Sequence, residues 1–246
     1  LSSTAEALEA GFDTGTITSV RFSDDLACWD SCGESSDVCE NGIATTTVQT
    51  DTFGKVMLSP SLAGTSEWTI TSADPFGATF DVADGVMFKI GRETTRILVA
   101  NGTTQAGSPA EIAYSDDLGV TWTTVSVGST NGEFFVKKGA LFVVDSYTIF
   151  AASNSGRIYK SEDRGVSWTV VENASVIANA YNYIAMLNDN VGYAVSTAGL
   201  VVRTLDGGKT WGQTGSSAGA NDLYSVGILS KDRVWVGSTL GVILYS

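Results

Sequence analysis

The chain has 246 residues, 27 of them acidic against 14 Lys and Arg, with no histidine and a formal net charge of −13. That length suits one all-β domain with a substantial core, while the acidity disfavours phosphate backbones and anionic lipid, so neither nucleic acid nor membrane insertion is expected. Without histidine the commonest general base and metal ligand are missing, along with every Ser-His-Asp or Cys-His arrangement, so no metal or cofactor is expected either.

In chain order, Thr4 to Phe12 reads as a spare outer strand, with a short helix as the alternative because Ala, Glu and Leu favour one. Ile17 to Phe22 and Leu26 to Trp29 read as strands, followed by an insertion from about 30 to 52. Cys28, Cys32 and Cys39 lie in this region. Three readings stay open for them: one local disulfide with a thiol left over, a three-thiolate zinc site lacking its fourth ligand, or three reduced thiols. Val86 to Ile90 and Arg96 to Ala100 form the next strand pair. Ala140 to Val144 with Thr148 to Ala152, Tyr183 to Leu187 with Val191 to Val195, and Leu223 to Ile228 with Arg233 to Gly237 repeat the scheme. Each is short, apolar and rich in β-branched residues, as half-buried strands are.

A turn pattern follows three of these pairs. It reads Ser/Thr-x-Asp-x-Gly-x-Ser/Thr-Trp and occupies Ser115 to Trp122, Ser161 to Trp168 and Thr204 to Trp211. Its fixed residues are Ser115, Asp117, Gly119 and Trp122, then Ser161, Asp163, Gly165 and Trp168, then Thr204, Asp206, Gly208 and Trp211. The copies begin 46 and 43 residues apart, a period that suits one four-stranded propeller blade. Asp and Ser/Thr side chains bond nearby backbone groups and hold a turn without help from the sheet. Gly supplies positive φ, and Trp can pack beneath the loop. The expected role is structural. A calcium loop would need more oxygen ligands and a terminal Glu. Ser61 to Trp68 is a decayed copy that keeps the first and last residues.

This motif resembles the Asp-box, or bacterial neuraminidase, repeat of β-propellers, a group that includes sialidases, sortilin-type receptors and the photosystem II assembly factor family. The resemblance implies an all-β propeller of four-stranded antiparallel blades, in which the Asp box lies away from the active face. Residues 1–246 are expected to form a single propeller domain of five blades. The fifth stops at Val242 to Ser246, so Thr4 to Phe12 is expected to complete it as a composite closing blade.

Chemistry is sparsely marked. A sialidase-like hydrolase would need three arginines around a carboxylate. Of the seven present, none lies in an Arg-Ile-Pro sequence, Arg164 falls inside a motif, and Arg157 and Arg203 are expected on solvent faces. Glu93, Glu111, Glu133 and Asp145 are isolated acids with no partner marked by spacing. No catalytic residue is therefore assigned. Tyr181 and Tyr183 are the candidate surface aromatics for binding, whereas Trp29 and Trp235 are expected to pack within blades. Asn101-Gly102-Thr103 and Asn173-Ala174-Ser175 match glycosylation acceptors.

The expected function is a non-enzymatic module that binds protein or glycan. It would be a structural or surface component of a virion, or a secreted or cell-surface binding protein, and so extracellular or on a virion surface. Its partners would be other proteins of an assembly, or surface glycans. The alternatives are a sialidase-like glycoside hydrolase using face carboxylates, and an assembly factor for a membrane complex.

Overall fold

The computed structural model describes residues 17–22, 47–51, 56–59, 69–70, 75–76, 82–91, 94–102, 109–128, 132–136, 139–173, 179–216 and 221–246. Cys28, Cys32, Cys39, the decayed motif copy and the expected closing segment Thr4 to Phe12 all lie outside these residues.

Nineteen strands form five antiparallel sheets among the described residues. The first sheet is β1 (Ile17–Phe22), β2 (Thr47–Asp51), β3 (Val56–Ser59) and β4 (Thr69–Ile70). The second is β5 (Val82–Lys89), β6 (Thr95–Asn101), β7 (Glu111–Ser115) and β8 (Thr123–Ser126). The third is β9 (Leu141–Val143), β10 (Ile149–Ala152), β11 (Arg157–Ser161) and β12 (Thr169–Asn173). The fourth is β13 (Tyr181–Met186), β14 (Gly192–Ser196), β15 (Leu200–Thr204) and β16 (Gly212–Ser216). The fifth has three strands, β17 (Leu223–Ser230), β18 (Arg233–Ser238) and β19 (Ile243–Tyr245). Each sheet is an up-and-down meander, and the first strands pack in succession, β1 on β5, β5 on β9, β9 on β13 and β13 on β17. This is the all-β propeller arrangement of four-stranded blades.

The turns explain why the meander recurs. Between the first and second strands of a blade, Asp145 Oδ1 accepts the N–H groups of Tyr147 and Thr148 at 2.6 and 2.8 Å. Asn188 Oδ1 does the same for Asn190 and Val191 at 3.0 and 2.9 Å. A short acceptor two residues upstream thus closes the turn from its own side chain. Between the second and third strands a further repeat appears that sequence inspection passed over: Ser153-x-x-Gly156, Ser196-x-x-Gly199 and Ser238-x-x-Gly241. Their glycines have φ of 70°, 78° and 73°, the left-handed region open to glycine at little cost.

The core lies in seams between sheets. Leu98, Ile112, Leu141, Ile149 and Tyr159 fill the seam of the second and third sheets. Phe150, Ile158, Ile184, Val202 and Trp211 fill the next. Tyr193, Val195, Leu223, Val226, Val234 and Val236 fill the seam of the fourth and fifth. Burying each such side chain stabilises the fold by about 1.5–3 kcal/mol.

Candidate functional site: repeated loops, a buried carboxylate and an open sheet face

The three motif loops share one geometry. The Ser115, Ser161 and Thr204 hydroxyls accept the N–H of Gly119, Gly165 and Gly208 at 2.7, 2.8 and 2.8 Å. Each also donates to an Oδ1, of Asp117, Asp163 and Asp206, at 2.8, 2.8 and 2.9 Å. The same Oδ1 accepts the N–H of Thr121, Ser167 or Thr210, and Oδ2 accepts that residue's hydroxyl at 2.6, 2.5 or 2.6 Å. Both carboxylate oxygens are thus engaged by the loop itself. Thr121's hydroxyl and N–H, with Ser115, hold the Asp117 pKa down at about 2, and Thr210 leads the same effect at Asp206. At Asp163 the burial that opposes ionisation is outweighed by bonds from Ser167 and Ser161, and its pKa is also lowered.

Each loop seats on its neighbour. A Cβ on Gly165 would lie 2.6 Å from Leu98 Cδ2, a side chain of the preceding blade. Gly208 meets the Phe150 ring in the same way, and Trp211 packs edge-on against Phe150 with centroids 6.1 Å apart. The Arg164 N–H donates to Tyr147 O at 3.0 Å, and Gly207 N–H to Asn190 O at 3.0 Å. Leu118 and Arg164, at the position before the loop glycine, carry left-handed φ of 56° and 69°, a modest strain that the loop bonds offset. Trp168 Nε1 donates to Gly165 O at 3.1 Å.

Arg96 braces the seam of the second and third blades. Its guanidinium grips Asp116 through two bonds of 2.7 and 2.6 Å, donates to Arg164 O at 2.9 Å and lies 4.2 Å from the Tyr114 ring centroid.

The isolated acids divide by environment. Glu133 is fully buried, and accepts from Ser153 Oγ at 2.6 Å, Tyr159 OH at 2.7 Å and Arg157 at 2.7 Å. Arg157 therefore does not lie on a free solvent face; it is drawn inward to an ion pair that repays its desolvation. Burial, then the Glu133 hydrogen bond, pushes the Tyr159 phenol above its ordinary pKa. Asp145 is occupied by its turn. Burial raises the pKa of half-buried Glu111. Glu93 lies outside the described residues. The carboxylates of Glu133 and Asp145 are engaged in structure, and neither is presented to a substrate.

Several sequence expectations are corrected here. Tyr181 is fully buried, because β13 is an inner strand with sheets packed on both faces, so it is no surface aromatic. Tyr183 is half-buried, with its ring against Gly139. Asn101 is also fully buried, and its Oδ1 accepts the Glu111 N–H at 3.0 Å, which removes it as a glycosylation acceptor. Trp235, expected to pack within its blade, is 44% exposed. It pairs across the fifth sheet with Gly227 and Tyr245, and Tyr245 and Ile243 are 82% and 69% exposed. The outward face of the fifth sheet is thus an apolar, aromatic surface. Spacing could have found it: Trp235 sits where Tyr193 sits one blade earlier, on the face that meets the next sheet.

No protein-family model and no curated protein matches the chain. Among solved structures, the computationally designed Ika8 protein aligns with a TM-score of 0.57 at 12% identity, over 82% of this chain and 55% of that one. The chain thus spans about half of that protein, and the likeness is one of fold. YCF48 from Cyanidioschyzon merolae aligns over 96% of this chain and 97% of its own, at 12% identity and a TM-score of 0.36. A structure of YCF48 bound to D1 peptide aligns over 82% and 75%, at 14% identity and 0.37.

Proposed function

We propose that the chain is a non-enzymatic interaction module that binds a protein partner through the outward face of its fifth sheet. The reading rests on the exposed Trp235, Ile243 and Tyr245, since a cluster of large apolar side chains left in water marks an interaction site. Trp and Tyr are the side chains that most often anchor such interfaces. The engagement of the motif carboxylates and of Glu133 within the fold supports a binding role over hydrolysis. We place the module outside the cytoplasm, as a surface component of a virion or a secreted or cell-surface binding protein. The three turn loops carry Asp-box chemistry and act as fold elements in this reading.

The test is the native mass of the protein from its source, with identification of every co-purifying chain, for the wild type and for a Trp235→Ser/Tyr245→Ser variant. The expected outcome is a defined partner retained by the wild type and lost by the variant. A monomer that turns over a glycan substrate overturns the reading.

A further inference from the structure

A cleft of about 170 Å³ opens between the fourth and fifth sheets, on the side of the fifth sheet opposite Trp235. Tyr193, Val201, Arg203, Val234, Leu244 and Ser246 line it. Its position has two filled equivalents in the same molecule. Strand pairing aligns Leu98 opposite Tyr114, Phe150 opposite Lys160 and Tyr193 opposite Arg203 as the same place in three successive blades. The next blade's loop glycine covers Leu98 and Phe150: Gly165 sits on the first and Gly208 on the second, with Trp168 and Trp211 packed alongside. Over Tyr193 there is the cleft instead.

The rim matches as well. Ser115, Ser161 and Thr204 pair with Ile97, Ile149 and Gly192, and the Ser246 N–H bonds to Val234 O at 3.1 Å in the same register. Ser246 thus stands where a motif hydroxyl holds the loop Asp and Gly. Asp232 follows the turn position of Tyr147 and Asn190, whose carbonyls accept a loop N–H in blades three and four. Finally, β19 is an edge strand among the described residues, and an edge is a template for one more strand.

We infer that this cleft and the β19 edge are a docking site for an extended segment of a partner polypeptide, one carrying an Asp-x-Gly-x-Ser/Thr-Trp turn followed by a β-strand. The glycine seats on Tyr193, because any side chain there would strike the ring as it would strike Phe150. The Trp fills the apolar part of the cleft, and the strand pairs with β19. The inference narrows the interaction-module reading to one partner chemistry, on the face opposite the one that reading uses.

The probe is a fluorescein-labelled 12-residue peptide copying Leu205 to Ser216, titrated by anisotropy against the 246-residue chain. The expected result is saturable binding that weakens at least about tenfold when the peptide carries Gly208→Val or Trp211→Ala, the loss of about 1.4 kcal/mol or more. It should also weaken when the protein carries Thr214→Trp, which fills the cleft from an exposed position and spares the core. Absent saturation, or binding indifferent to both peptide changes, overturns the inference. So does binding that appears only after residues 1–16 are deleted, which would assign the seat to this chain's own segment. A concentration-dependent dimer that the peptide cannot displace assigns it to a second copy, with the same result. Because the peptide reads the face opposite Trp235, loss of this result with partner capture intact leaves the interaction-module reading standing.

Discussion

Tyr193 and Trp235 hold the same place in the fourth and fifth sheets, yet one is 2% exposed and the other 44%. Tyr193 pairs with Ala185 and Arg203, and Trp235 with Gly227 and Tyr245. The strand pattern is the same in both, and the covering differs. Val226, Val234 and Val236 of the fifth sheet close over Tyr193, whereas the extensive packing among the described residues runs only from the first sheet to the fifth. A repeat therefore states which side chains face a neighbouring blade, and the assembled molecule states whether one is there.

The largest effects should come from covered seams. Tyr193→Ala removes a buried ring and the 2.6 Å bond from its hydroxyl to Lys231 O, and should lower unfolding free energy by about 3–5 kcal/mol in urea titrations. Glu133→Ala should cost a similar ~3–5 kcal/mol by stranding Arg157, Tyr159 and Ser153, while Glu133→Gln should cost less. A loss below about 1 kcal/mol at Tyr193 would erase the contrast with Trp235. Gly208→Val should come next, at about 1–3 kcal/mol, since it forces a side chain into Phe150 at φ of 80°. The same substitution in an uncovered seat would lack the clash.

Acid tests the loops without touching the seams. The folded pKa of Asp117 and Asp206, about 2, lies below the ordinary carboxylate value of about 3.9. Their stabilisation is therefore complete above about pH 4 and fades as pH falls through 2. Acid unfolding of an Asp117→Asn/Asp206→Asn variant should show a shallower loss across that window than the wild type. An unchanged acid limb would remove these aspartates from loop stability. The smallest effect belongs to the uncovered face: Trp235→Ser should shift stability by no more than about 0.5 kcal/mol, read by urea titration, while lowering binding of a hydrophobic dye.

The sequence alone determined the blade pattern, because each motif loop closes through bonds within eight residues of itself. Asp117, Asp163 and Asp206 need only their own Ser or Thr neighbours, so their order in the chain was enough to place the turns. Alternating apolar strands likewise marked which residues leave the sheet on each side. Tertiary structure decided whatever depended on contacts between blades. Glu133 finds Ser153, Arg157 and Tyr159 from 20 to 26 residues away, and Arg96 reaches Arg164 across 68, so neither was marked by local spacing. Tyr181 looked like a surface aromatic and is buried because sheets close on both faces of its strand. Trp235 and the seat over Tyr193 look like core in the sequence and are open in the molecule. A side chain's burial depends on the sheet opposite it, and a residue's own neighbours along the chain carry no record of that sheet.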